Sequence, residues 1–215
     1  INDLNDMGED INFRLTSNTS DTLASLKEEI DRYLLLGVAP ENITVISPKR
    51  AGLLGVDNIN NKIDNQLNPS KEKYKSTILD EKFKISVGDR ILHLKNQPAK
   101  RLVNGSLGIV TDVKKSKDVE VEFKGVGYHT YTKSAHPEFE KAYALTTHKS
   151  QGGQFEVVIL LGLLSEHKNM IQKRVMYTGA TRPKKKLSFI GDLAALNAAI
   201  LDKNSMRRIT LGSIT

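Results

Sequence analysis

Two short stretches of this chain carry groups that could bind an anion. Thr146-Thr147-His148-Lys149-Ser150-Gln151-Gly152-Gly153 is dense in hydrogen-bond donors and ends in two glycines that free backbone amides. Such a turn can hold phosphate oxygens, or it can be a solvated polar loop. Tyr177-Thr178-Gly179-Ala180-Thr181-Arg182-Pro183-Lys184-Lys185-Lys186 finishes in a run of cations. Arg182 lies toward the end of a helix on which Tyr177 and Ala180 are expected to pack inward. It could cap helix carbonyls, or a fixed guanidinium there could reach a phosphoryl group. A third loop, residues 47–55, carries Arg50 next to Gly52 and Gly55. Loops that follow strands deserve this attention because a parallel sheet binds ligands at its carboxyl edge.

Several chemistries are excluded. With no Cys, there is no disulfide scaffold, thiolate zinc site or Cys nucleophile. No Gly is followed by Lys, so the phosphate-cradling GxxxxGK[ST] loop is missing, and so is an acidic pair to position Mg²⁺. The five His are scattered, with neither metal-ligand spacing nor a Ser/His/Asp set. The formal net charge of +7 permits a nucleic-acid partner, and solubility alone accounts for it equally well. No apolar stretch approaches the roughly 18 residues that span a bilayer, so no membrane partner is expected. The absence of Cys fits a reducing compartment, and a cytoplasmic protein is the expectation. The chain begins Ile1-Asn2-Asp3-Leu4, without a basic or apolar leader, and reads as a cut from a longer polypeptide.

The elements that must position these groups follow from periodicity. Residues 21–36 predict a helix with Leu23, Leu26, Ile30, Tyr33 and Leu34 on one face, capped by Ser20 or Asp21 and ended at Gly37. Ile43-Thr44-Val45-Ile46 predicts a buried strand, and Val56, Ile59, Ile63 and Leu67 the inner face of a second helix. From residue 86 the texture changes to short strands at 90–94, 107–113, 119–123 and 128–132, separated by turn chemistry. They predict a small antiparallel barrel over about 86–137. Strands at 142–146, 155–161 and 186–190 then alternate with helices at 169–181 and 193–201. The expected architecture is a parallel α/β sheet, helices on both faces, interrupted by the barrel.

Four segments, in order, resemble the C-terminal half of RecD-like superfamily 1 helicases. They are residues 43–68 (ITVISPKRAGLLGVDNINNKIDNQLN), 87–113 (VGDRILHLKNQPAKRLVNGSLGIVTDV), 143–160 (YALTTHKSQGGQFEVVIL) and 177–192 (YTGATRPKKKLSFIGD). THKSQG before an apolar strand is similar to helicase motif V, and YTGATRPKK to motif VI. The resemblance implies the second of two RecA-like, P-loop NTPase-type motor domains, interrupted by an SH3-like barrel. It divides the chain into a first motor part at 1–85, the barrel at 86–138 and the rest of the motor domain at 139–215. It further implies movement along single-stranded DNA, typically 5′→3′, driven by ATP with Mg²⁺. The Mg²⁺ ligands would lie outside this chain, on an N-terminal RecA-like domain of the same polypeptide. Other recombination or repair subunits are further implied partners.

Residue by residue, Arg182 falls on the motif VI arginine that reaches the ATP γ-phosphate, and Arg50 falls near the motif IV arginine. Thr147, His148 and Ser150 would face DNA phosphate, while Gln151 and Gly152 couple that contact to the nucleotide. Gln154 stands where the family commonly has a Glu on the nucleotide sugar, and Gln can still bond a ribose hydroxyl. Pro183 replaces the usual Ala of motif VI, so the helix is expected to end just before it. In the barrel, Lys95, Lys100, Arg101 and Lys114 to Lys117 could track a DNA backbone, and Tyr128 and Tyr131 could stack bases or pack. The competing reading is a non-catalytic module that binds nucleic acid or protein. A third reading keeps the motor within a relaxase or a multi-subunit nuclease.

Overall fold

Strands that are apolar at every position must be covered on both faces, whereas alternating strands need cover on only one. Both kinds occur here. The computed structural model describes residues 10–69, 71–73, 75–78, 84–168 and 170–201. In chain order it holds β1 (Ile11–Leu15), α1 (Thr19–Leu35), β2 (Ile43–Ser47), α2 (Val56–Leu67), β3 (Ser76–Ile78) and β4 (Lys84–Ser86). Then come β5 (Arg90–His93), β6 (Leu107–Val113), β7 (Val119–Phe123), β8 (Gly127–Tyr131) and β9 (Phe139–Lys141). The last third holds β10 (Ala144–Thr146), α3 (Thr147–Ser150), β11 (Phe155–Gly162), α4 (Leu164–His167), α5 (Lys173–Ala180), β12 (Pro183–Gly191) and α6 (Leu193–Leu201).

One sheet runs β1-β12-β11-β2-β10, with every pair parallel. Its central strands β2 and β11 are buried almost throughout. Along β11, Val157, Ile159 and Leu161 face α1 and α2, where Leu26, Ile30, Tyr33, Ile59 and Ile63 pack. Val158 and Leu160 face the opposite way, toward Met176 of α5 and Ala195 and Ala199 of α6. The period-2 alternation of one strand thus feeds two cores. No helix among the described residues is long and apolar enough to cross a membrane.

The second sheet runs β8-β7-β6-β5-β9 and is antiparallel. Its inward positions, among them Ile91, Val110, Val121, Phe123, Tyr131 and Phe139, form a separate core. The antiparallel pairing extends to Lys141 through β9, a short strand that periodicity does not reveal. The two-stranded ribbon β3–β4 precedes it.

Several expectations need correction. The cap of α1 is Asn18, whose carboxamide oxygen accepts the Asp21 N–H at 3.0 Å; Ser20 and Asp21 already lie inside the helix. β1 was not expected, although Ile11, Phe13 and Leu15 alternate with Asn12 and Arg14; it is a short, half-buried edge strand laddered to β12. The helix expected over 169–181 is shorter, with α4 separate before it. Asn169 lies outside the described residues. Helix α5 does end just ahead of Pro183, which opens β12.

Close backbone approach limits one position severely. A Cβ on Gly191 would sit 1.9 Å from the Gly162 carbonyl oxygen of the neighbouring strand. Gly191→Ala is therefore expected to destabilise the domain by about 2–3 kcal/mol, seen as a fall of several degrees in Tm. An unchanged Tm would mean that β11 and β12 can part without cost.

A buried polar junction seats the antiparallel sheet on the parallel one. Arg90 of β5 is buried and donates to three carbonyls: Ala142 at 2.8 Å, Glu41 at 2.7 Å and Tyr143 at 3.1 Å. Burial pulls its pKa down to about 10, which leaves it charged at neutral pH. Lys141 of β9 bonds Asp64 of α2 at 2.8 Å and lies 3.6 Å from Asp89. Asp89 in turn accepts from the Tyr143 hydroxyl and Asn68, each at 2.9 Å. Burial alone would raise the Asp64 carboxyl, yet hydrogen bonds from Lys141 and Lys71 hold it below the usual range. Buried charges persist only when so partnered.

Candidate nucleotide and nucleic-acid site

Arg182 sits between the end of α5 and the start of β12, and its guanidinium folds back across the strand edge. Nε donates to the Thr178 carbonyl at 3.0 Å, Nη1 to the Gly153 carbonyl at 3.2 Å, and Nη2 to Thr181 Oγ1 at 3.2 Å. The Arg182 carbonyl accepts the Phe155 N–H at 3.0 Å. The two segments singled out by composition therefore meet, side chain to backbone and backbone to backbone. Every acceptor is neutral. No carboxylate pairs with Arg182 among the described residues, so it keeps its full charge while its orientation is fixed.

This meeting point is not at the carboxyl edge. Phe155 and Pro183 open β11 and β12, so the argument from loops after strands does not account for residues 177–182. Tyr177 departs from expectation as well: it is 68% exposed, because it lies on the face of α5 opposite Val175, Met176 and Gly179. Ala180 is partly buried against the core.

The polar turn divides into buried and exposed members. Thr146 caps α3, its hydroxyl accepting the Lys149 N–H at 3.2 Å. Thr147 and Ser150 are buried; the Ser150 hydroxyl donates to the Thr147 carbonyl at 2.8 Å, and Thr147 Oγ1 has no partner among the described residues. His148, Gln151, Gly152 and Gln154 are exposed. Gly152 has φ +84°, a conformation that favours glycine and that reverses the chain toward Phe155.

Arg50 lies elsewhere on the rim, in the loop after β2. Its Nε approaches Asp57 at 3.3 Å and its Nη1 approaches Glu140 of β9 at 3.2 Å. Glu140 also accepts from Lys149 Nζ. The neighbouring Lys49 donates to the Glu166 carboxylate and carbonyl, each at 2.7 Å. Beside it, His167 is buried. Its Nδ1 accepts the Leu163 N–H at 3.2 Å, and its Nε2 faces Ser47 Oγ at 3.4 Å. Burial, reinforced by the Lys49 charge, pushes its pKa down to about 4, so it is neutral at pH 7.

In the antiparallel sheet, Lys95 pairs with Glu138 at 2.8 Å, while Lys100 and Arg101 are exposed near the short helical turn at Pro98–Lys100. Lys114, Lys115 and Lys117 are exposed at the β6–β7 turn. The two tyrosines part company: Tyr128 is exposed, and Tyr131 is a core residue whose hydroxyl pairs with His93 Nδ1 at 2.7 Å. Among the described residues no group of three or more His, Asp or Glu is placed to hold a metal.

Residues 141–190 match the UvrD-like helicase C-terminal domain family. The ATP-dependent RecD2 DNA helicase of Deinococcus radiodurans is 27% identical over 173 residues, covering 80% of this chain and 23% of that protein. The RecD subunit of the RecBCD enzyme of Mycolicibacterium smegmatis is 32% identical over 114 residues, or 53% of this chain and 20% of that protein. Over most of its length the chain is similar to the C-terminal part of RecD-like helicases. It spans about a quarter of the length of the curated relatives it matches. Among solved structures, Bacteroides Pif1 bound to single-stranded DNA is similar at 19% identity, with a TM-score of 0.48 over 82% of this chain and 50% of that one.

For this RecD-like chain, the parallel sheet clad on both faces is the expected RecA-like α/β fold, and the antiparallel sheet is the expected small barrel-like insert. The matched residues contain both sides of the Arg182–Gly153 contact. Arg50, Glu140 and nearly all of the insert lie outside them. Glu140, His167 and the Arg90–Lys141 junction were not anticipated. The available signal was charge in an apolar setting: Lys141 stands between Phe139 and Ala142-Tyr143-Ala144.

Proposed function

We propose that this chain is the second motor portion of an ATP-dependent DNA helicase, supplying an arginine finger and contacts to single-stranded DNA. The observation that carries the reading is Arg182, a guanidinium oriented by neutral acceptors beside the polar turn and left unneutralised. Such a group stabilises charge that develops on a transferring phosphoryl group. Gln151, Gly152 and Gln154, exposed next to it, line the same nucleotide, and Arg50 offers a second phosphate contact. The P-loop and the Mg²⁺ ligands come from an N-terminal RecA-like domain of the same polypeptide, so this chain alone does not turn over ATP.

In this reading residues 1–85 and 139–215 form the motor domain and 86–138 the barrel. His148 faces a DNA phosphate, Thr147 and Ser150 shape the turn that presents it, and Lys95, Lys100 and Arg101 extend the track. Translocation runs 5′→3′, and recombination or repair subunits are the natural partners. The full-length polypeptide is expected to hydrolyse ATP only when single-stranded DNA is added. Its DNA affinity should fall steeply with salt, because lysine and arginine release counterions from phosphate. Turnover indifferent to DNA, or affinity flat between 50 and 200 mM salt, would count against it.

A further inference from the structure

Glu140 stands where three segments meet. It lies on β9, opposite Leu92 of β5, in the antiparallel sheet. Its two carboxylate oxygens serve different cations: Oε2 meets Arg50 Nη1 from the loop after β2, and Oε1 meets Lys149 Nζ from α3. The next residue, Lys141, is anchored on Asp64 and Asp89, so the strand beneath Glu140 is fixed. Glu140 is therefore a pivot on a rigid base.

We propose that Glu140 is a positioning residue that makes a phosphate at Arg50 and a phosphate at Lys149 oppose each other. The proposal rests on the nucleotide and DNA reading given above. One carboxylate divides its charge between two cations. A nucleotide phosphate that draws Arg50 away leaves all of that charge to Lys149, which is then held harder against β9 and yields less to a DNA phosphate. A DNA phosphate that takes Lys149 leaves Glu140 to Arg50 in the same way. Linkage requires the two effects to be equal. Asp57 touches Arg50 but does not reach Lys149 among the described contacts, so it cannot transmit this signal. Both cations are partly exposed, with 55% of the Arg50 and 31% of the Lys149 side chain open to solvent. The coupling is accordingly modest, about two- to fivefold.

The test measures single-stranded DNA affinity of the full-length protein with and without a saturating non-hydrolysable ATP analogue. Wild type is expected to bind DNA about two- to fivefold more weakly with the analogue present. Glu140→Gln is expected to bring that ratio to one, Glu140→Asp to restore part of it, and Asp57→Asn to leave it unchanged. Should Glu140→Gln melt early, Lys149→Met breaks the same link from the other end and is expected to abolish the ratio. A Glu140→Gln protein with the wild-type ratio overturns the proposal, as does a wild type whose DNA affinity ignores the nucleotide. A protein that binds neither ligand overturns the helicase reading itself, a result distinct from binding both without coupling.

Discussion

Arg182→Ala in the full-length polypeptide is expected to lower kcat for ATP by about a thousandfold or more while nucleotide affinity changes only a few-fold. The split follows from where the guanidinium acts. A group that meets charge developing in the transition state contributes to kcat, whereas uniform binding contributes to KM. Arg182 suits that role because its three observed partners are two carbonyls and a hydroxyl. Arg50 already faces two carboxylates, so Arg50→Ala is expected to cost far less turnover. Arg182→Lys should not rescue activity, since one ammonium cannot span the Thr178 and Gly153 carbonyls with a planar fork. Near-normal kcat in the alanine variant, with an unchanged Tm, would remove the assignment.

The frame that holds this arginine was legible because its elements are strongly periodic. Leu26, Ile30 and Tyr33, and Ile59 and Ile63, announce two helices, and the apolar run through Val157 to Leu161 announces a central strand. What escaped was structure held by backbone or by buried charge. β9 is three residues long and carries no alternation, while β1, whose Ile11, Phe13 and Leu15 do alternate with Asn12 and Arg14, is a five-residue edge strand buried only in part; the ladder to β5 or β12 defines each. Tyr177 is hard to place from sequence because a helix of eight residues offers little periodicity from which to choose its inner face. The contact of Arg182 with Gly153 joins residues 29 apart in sequence, and no local pattern predicts such a meeting. Only the resemblance to helicase motifs V and VI hinted that both segments belong to one site.

The loops at the carboxyl edge depend on a neutral histidine, and this gives the domain a pH dependence with a definite sign. Protonating His167 would add a hydrogen at Nδ1, where the Leu163 N–H already points, and would put a cation beside Lys49. Burial, the largest cause, and Lys49 together hold its folded pKa at about 4, while an unfolded histidine titrates near 6.5. Between those values the unfolded chain binds more protons than the folded one, so stability rises with pH across the window. It is lost as pH falls from about 6.5 toward 4. Between pH 7 and pH 5 the loss from this one group is about 2 kcal/mol. His93 and His129 lean the same way through burial, so the total slope is steeper, and a variant is needed to isolate His167. Urea unfolding of His167→Gln at pH 7 and pH 5 should show a difference about 2 kcal/mol smaller than that of wild type. Equal differences in the two proteins would mean that the ring escapes to solvent on protonation and that Ser47 and Leu163 do not hold it.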